Sequence, residues 1–280
     1  MKRIRHATVT AMVTCGLLAA FAWSAAARQT PATGGKGVDA FAQNKRLGRG
    51  VNIVGYDPGW RPGGRWRMRE KHFRLIKEAG FSNVRVPLHP FRYMAGPEEG
   101  YRVPEQWFKK VDWVLEQALK NDLMVILDCH EFTAMGKDPQ ALKPKWLAFW
   151  RQMGERYAEA PDTVLFELLN EPHGRLTPRM WNAFLAEGLA IVRESNPNRT
   201  VIIGPGQWNQ IAKLDDLVLP EHDRNIIVTI HYYEPFRFTH QGASWVGRQN
   251  DVGYRWLGTP KERQDIKQDF DRAQRWAQQR

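Results

Sequence analysis

From residue 50 onward, short apolar runs alternate with longer segments whose apolar positions recur every three to four residues. The short runs cover residues 51–55, 84–87, 124–131, 164–169, 201–204 and 226–233. Several are continuously apolar rather than alternating, as strands covered on both faces must be. The longer segments predict helices over 68–79, 104–120, 145–158, 177–194 and 260–279, with at most a short one over 211–219. Phe73, Ile76 and Ala79 share one face of the first helix, which Gly80 ends. Phe108, Val111, Leu115 and Leu119 make a stripe on the second, entered through Pro104. Six strands alternating with six helices predict an α/β protein with a parallel sheet.

Polar residues break this pattern at one end of the strands. His130 and Glu131, Asn170 and Glu171, Gln207 and Trp208, and His231 and Tyr233 all fall at C-terminal ends. A (β/α)8 barrel collects its chemistry there. The rival, an open doubly wound sheet, would carry a Gly-rich phosphate loop after its first strand, and none follows residue 55. About six of eight β/α units are counted before Arg280. The expectation is therefore an incomplete barrel, a fragment or a sheet that does not close, with two parallel edges left open.

The stretch 165–172, Leu-Phe-Glu-Leu-Leu-Asn-Glu-Pro, is the densest of these ends. Pro172 cannot extend a ladder, which puts Glu171 at a mouth rather than in a core. Successive strand residues face opposite ways, so Asn170 and Glu171 share a side only if the strand end is kinked or bulged. The alternative is a carboxylate that caps the next helix.

Composition adds little to the fold: 42% hydrophobic and 25% charged residues are ordinary for a globular protein, and 280 residues suit one large domain or two small ones. It says more about the ends. Lys2, Arg3 and Arg5 precede an uncharged apolar run over 7–23 and the small residues Ala25, Ala26 and Ala27, the pattern of a secretory signal peptide cut after Ala27. Residues 28–49 read as a flexible tail and 50–280 as the domain. Cleavage would remove Cys15, leaving Cys129 alone in an apolar strand, with no intrachain disulfide and an inert buried thiol. The net charge of +11 is scattered among acids on helix faces, which argues against nucleic acid, and no apolar run after the leader spans a membrane. A secreted or periplasmic protein is expected.

Four motifs then stand in order on successive strands: Arg85 in Asn-Val-Arg-Val-Pro, His130 in Leu-Asp-Cys-His, Asn170-Glu171-Pro172, and His231 with Tyr233 in Thr-Ile-His-Tyr-Tyr. With the stretch 231–245, they make the chain resemble glycoside hydrolase family 5, the cellulase family of retaining (β/α)8 barrels, from about residue 48 to the end. The resemblance implies endo cleavage of β-1,4-glucan with retention and without cofactor or metal. Mannan, xyloglucan and other β-glycans are substrates elsewhere in the family. It implies Glu171 as general acid/base, a role that calls for partial burial or a neighbouring carboxylate. Asn170 would hold the sugar 2-hydroxyl, Arg85 would orient carboxylates at the barrel centre, and His130, His231 and Tyr233 would line the subsite beside the scissile bond.

The sequence departs from the family where the resemblance implies a nucleophilic glutamate ending a seventh strand and a tryptophan ending an eighth. Neither has a counterpart here, and Glu131 and Glu234, both following strand-end histidines, do not match the nucleophile's position. The 280 residues alone are expected to be inactive or unstable. Among 12 tryptophans, Trp60, Trp208 and Trp245 lie in loops and are candidate sugar platforms, two of the three being expected to serve. Trp113, Trp146, Trp150 and Trp181 lie on helices, as core residues do. Two other readings stay open: zinc held by His130, His231, Glu131 and Glu171, and a carbohydrate-binding pseudoenzyme.

Overall fold

The computed structural model describes residues 38–280. The expected leader over 1–27 and the first part of the expected tail lie outside the described residues. Six strands, β1 (Gly50–Asn52), β2 (Asn83–Leu88), β3 (Met124–Cys129), β4 (Val164–Glu167), β5 (Val201–Ile203) and β6 (Ile226–Val228), form one sheet in sequence order, each pair parallel. The α-helices of six residues or more are α1 (Ala40–Leu47), α2 (Glu70–Glu78), α3 (Glu105–Lys120), α4 (Phe132–Lys137), α5 (Pro139–Arg156), α6 (Pro178–Ser195) and α7 (Pro260–Gln278). Among the described residues this makes six of the eight units of a (β/α)8 barrel.

The continuous apolar runs are explained by two different covers. Val84, Val86, Leu88, Val125, Leu127, Val164, Phe166, Val201 and Ile203 pack outward with helix residues such as Phe73, Leu115, Trp150 and Trp181. The other pleats point into the barrel. There Met124, Ile126, Leu165 and Ile202 meet Leu47 at the end of α1. Toward the C-terminal ends the inward positions turn polar: Arg85, Asp128 and Glu167 follow, with Asp128 directly opposite Glu167 in register. Each fully buried large apolar side chain contributes roughly 1.5–3 kcal/mol, and both layers supply several.

Three expectations are corrected. The tail over 28–49 contains α1. Asp39 caps that helix by accepting from the Ala42 amide at 3.0 Å, and Ala40, Gln43 and Leu47 turn inward. Its polar composition hid a short one-sided pattern. The third long helix begins at Pro139 rather than 145, because Asp138-Pro139 is a cap followed by a proline in the first turn, and α4 precedes it. Trp60 is core, not platform: it is 4% exposed and packed against Trp66 and Trp107. The helix tryptophans Trp146, Trp150 and Trp181 are fully buried, and Trp113 stacks on Trp66. Cys129 is buried as expected, and burial pushes its thiol up.

One buried cation joins the C-terminal end of α5 to β4. The Arg199 guanidinium donates to the carbonyls of Tyr157, Ala158, Ala160, Pro161 and Val164, and to Asn196 Oδ1, at 2.8–3.3 Å. It gathers carbonyls from the helix end, the following turn and the first residue of β4, of which those of Tyr157 and Pro161 also accept a backbone amide. Arg199→Met is expected to lower the free energy of unfolding by ~3 kcal/mol, since several buried acceptors lose their donor at once. A urea titration showing a loss under about 1 kcal/mol would contradict this.

Candidate active site

The end of β4 is built to bend. The Leu168 amide still donates to Ile202 of β5 at 3.2 Å, and the Asn170 amide to Cys129 of β3 at 3.0 Å. The Leu168 carbonyl accepts from the indoles of both Trp146 and Trp150, each at 3.0 Å. Glu171 then takes a left-handed conformation, φ 42°, which is uncommon outside glycine. This is the kink that the alternate facing of Asn170 and Glu171 required. The regular ladder ends at Glu167, earlier than the run to Leu169 suggested.

Arg85 forms the floor. Its guanidinium grips both oxygens of Glu167 at 2.7 Å, Asp128 Oδ2 at 3.0 Å and Asn170 Oδ1 at 2.9 Å. Burial by itself would weaken the hold of Arg85 on its proton. The carboxylates of Glu167 and Asp128 outweigh it and shift Arg85 upward. Glu167 is raised by its burial and then by Asp128, with Arg85 opposing. Because the Asn170 oxygen accepts from Arg85, the Asn170 amino group is the arm left to donate to another partner.

Asp128 also accepts from His130 Nδ1 at 2.5 Å, so that nitrogen carries a proton. His130 packs edge-on against His89 and Phe132. Glu131 turns the other way: its carboxylate accepts from the Phe91 amide at 2.7 Å, and burial raises it. Glu234 accepts from the Phe236 amide at 2.9 Å. Both are committed to backbone. Among the described residues no three His, Cys, Asp or Glu converge to hold a metal ion, so the four residues of the zinc alternative are not brought together.

At the rim, His231 Nδ1 and Glu171 Oε1 are 2.6 Å apart, with side chains 18% and 16% exposed. Tyr233 stands half exposed beside them; burial and then the charge of Glu171 raise its phenol. Trp208 is 44% exposed and lies flat on His173, ring centres 4.9 Å apart. Trp245 is 81% exposed. A cavity of about 300 Å³ opens between Asn52, Arg85, Glu167, Thr229, His231 and Tyr233. A second, of about 290 Å³, lies among Tyr56, His89, Phe91, Arg92 and Glu131.

Arg85, Asn170, Glu171, His231 and Tyr233 are thus brought to one mouth, and Asp128 links His130 to the same guanidinium. Asn52, His89, Asp128 and Glu167 were not singled out from the sequence. A signal existed for two of them. Glu167 is the one charge in an apolar strand, and Asp128 precedes His130 by two residues, on the same pleat.

The family model for Cellulase (glycosyl hydrolase family 5) matches residues 45–280. Endoglucanase H of Acetivibrio thermocellus is 29% identical over 231 residues, covering 79% of this chain and 25% of the relative. Endoglucanase 3 of Fibrobacter succinogenes is 30% identical over 222 residues, 72% of this chain and 33% of the relative. The chain therefore spans between a quarter and a third of these two proteins. Endoglucanase Cel5A of Thermotoga maritima superposes with a TM-score of 0.80 at 41% identity, over 86% of this chain and 78% of the neighbour, and has also been solved with cellobiose and with mannotriose. A match running from the last turns of α1 to the C-terminal helix, across every element that builds the mouth, places the chain in glycosyl hydrolase family 5, the cellulases.

Proposed function

We propose that the chain is the acid/base-bearing part of a glycoside hydrolase that cuts β-1,4-linked glucan within the chain, with retention. The carrying observation is the 2.6 Å contact between Glu171 and His231 at a partly open rim, directly beside Asn170 held by Arg85. A carboxyl there has solvent on one side and a ring N–H on the other. It is placed to protonate a departing glycosidic oxygen and then to activate a water. The amino group of Asn170 is the donor for a sugar hydroxyl at the same level. Trp208 and Trp245 offer exposed indole faces for pyranose rings.

Retention needs a second carboxylate about 5–5.5 Å from the first. Asp128 and Glu167 are bound to Arg85, and Glu131 and Glu234 to backbone amides. We therefore assign the nucleophile to none of them and place it outside these 280 residues. Mannan is the alternative substrate, since the Thermotoga maritima neighbour has been solved with both cellobiose and mannotriose. A carbohydrate-binding pseudoenzyme is the alternative to catalysis. Export follows from the leader pattern, with a mature protein beginning at Arg28.

In the second cavity we read His89 as a neutral hydrogen-bonding group for a further sugar unit. Its Nε2 is buried without a protein partner, and Tyr56 lies over the ring at 5.1 Å. Burial, then His130, then Arg92, lower His89 from 6.5 to about 4. Folding then costs acid stability, because the unfolded chain takes up this proton as pH falls through 6.5, whereas the folded chain takes it up only near 4. The loss grows across that window and is complete below it.

Four outcomes follow. Residues 1–280 alone should turn over soluble carboxymethyl-cellulose little or not at all, and substantial turnover overturns the assignment of the nucleophile. The chain joined to the last two β/α units of a family-5 barrel should hydrolyse it, and Glu171→Gln should then lower kcat/KM by a factor on the order of 10³; saccharide binding without turnover in the joined chain would instead establish the pseudoenzyme. His89→Gln should recover about 1–2 kcal/mol of the stability lost between pH 7 and pH 4.5, solvent screening included, and equal urea midpoints at pH 4.5 would refute the buried neutral ring. N-terminal sequencing of exported protein should begin at Arg28.

A further inference from the structure

After β5 the chain makes an unusual turn. Gln207, Trp208 and Asn209 have φ of 56°, 61° and 57°, three consecutive non-glycine residues in the left-handed region. Each such residue costs on the order of 1–3 kcal/mol and persists only where its surroundings over-determine it. The surroundings here are specific. The Trp208 amide donates to the Pro172 carbonyl at 3.1 Å, and the His231 amide donates to the Asn209 carbonyl at 2.9 Å. The Trp208 ring lies on His173 at an interplanar angle of 14°. His173 Nδ1 is 2.8 Å from the Glu171 carbonyl. A carbonyl only accepts, so Nδ1 carries the proton and donates. Asn209 is wholly buried against Gly204, where an added Cβ would lie 2.2 Å from Asn209 Oδ1.

We propose that this turn, with His173, is a clamp that positions Glu171 against His231. The turn and His173 together hold the main chain on both sides of the pair: His173 takes the Glu171 carbonyl, and the turn takes the Pro172 carbonyl and the His231 amide. The three left-handed residues let a single loop reach both. Trp208, Asn209 and His173 are then positioning residues, and Trp208 presents only its outer face to a ligand. The same 2.6 Å contact that the proposed acid/base role rests on is what the clamp holds, so the inference rests on that reading for its purpose but not for its test.

The test reads the hydrogen bond without turnover. In the ¹⁵N-labelled 280-residue chain, the His231 Nδ1–H bonded to the Glu171 carboxylate should give a protected downfield ring-proton resonance, identified by its loss in Glu171→Gln and in His231→Asn. His173→Phe keeps the stack but removes the donor. Trp208→Gly keeps the left-handed backbone but removes the ring. Each should speed exchange of that ring proton and of the His231 amide by about two- to tenfold, the factor that one net hydrogen bond brings. His173→Gln, which restores a donor, should recover part of the protection. Arg199→Met, which weakens the fold far from the turn, should leave both signals protected. Unchanged exchange in both clamp variants, equal acceleration in Arg199→Met, or no protected resonance in the unaltered chain would each overturn the clamp. Failure of the joined chain to hydrolyse glucan would touch only the acid/base reading.

Discussion

Arg85 is the residue on which the mouth of this barrel depends. Parallel pairing puts Asp128 and Glu167 directly opposite each other on β3 and β4, both inward and both almost wholly buried. Two like charges facing each other across a ladder are unfavourable, and burial makes each more so. The guanidinium between them satisfies three of their four oxygens and reaches Asn170 as well. Asp128 Oδ1 is left without a protein partner. Breaking a buried cluster of this kind by removing one member is far more damaging than the cluster is stabilising, because it strands charge. The geometry is therefore fixed by the cost of its alternatives.

That fixed floor dictates what stands above it. Asn170 is held through its side chain by Arg85 and through its amide by Cys129, and Leu168 is held through its carbonyl by two indoles of α5. With 168 and 170 anchored, the chain has little freedom at 171, and the left-handed kink follows. The indoles lie four residues apart on one helix face, so the position of Glu171 is set partly by helix packing on the far side of the sheet.

What was legible in the sequence was what depends on periodicity. The runs 84–87 and 124–131 had to be covered strands, and polar residues at one end had to share a mouth. What was not legible depends on the direction of a single side chain. Glu131 and Glu171 each sit beside a polar partner at a strand end, yet one bonds the Phe91 amide and the other a histidine. Trp60 and Trp208 both lie in loops after strands, yet only a tertiary neighbour decides that Trp60 is sealed by Trp66 and Trp107. Helix α1 was obscured for a different reason: an Asp39 cap and two apolar anchors suffice for eight residues when the barrel floor supplies the rest of the stability.

Four carboxyl groups end the third and fourth strands, and their partners separate their chemistry. Asp128 and Glu167 face Arg85, a cation that cannot release its proton in a protein. Both belong to one buried network around that guanidinium, and loss of Arg85 would strand the two of them together. Glu131 is bound to the Phe91 amide and lines the second cavity instead. Asp128 and Glu171 are each paired with an imidazole, but of the four only Glu171 is seated where the chain has been bent to bring it to the rim. Under the proposed acid/base role, a carboxyl that donates a proton in one step and accepts one in the next is held in position for both by its contact with the imidazole of His231.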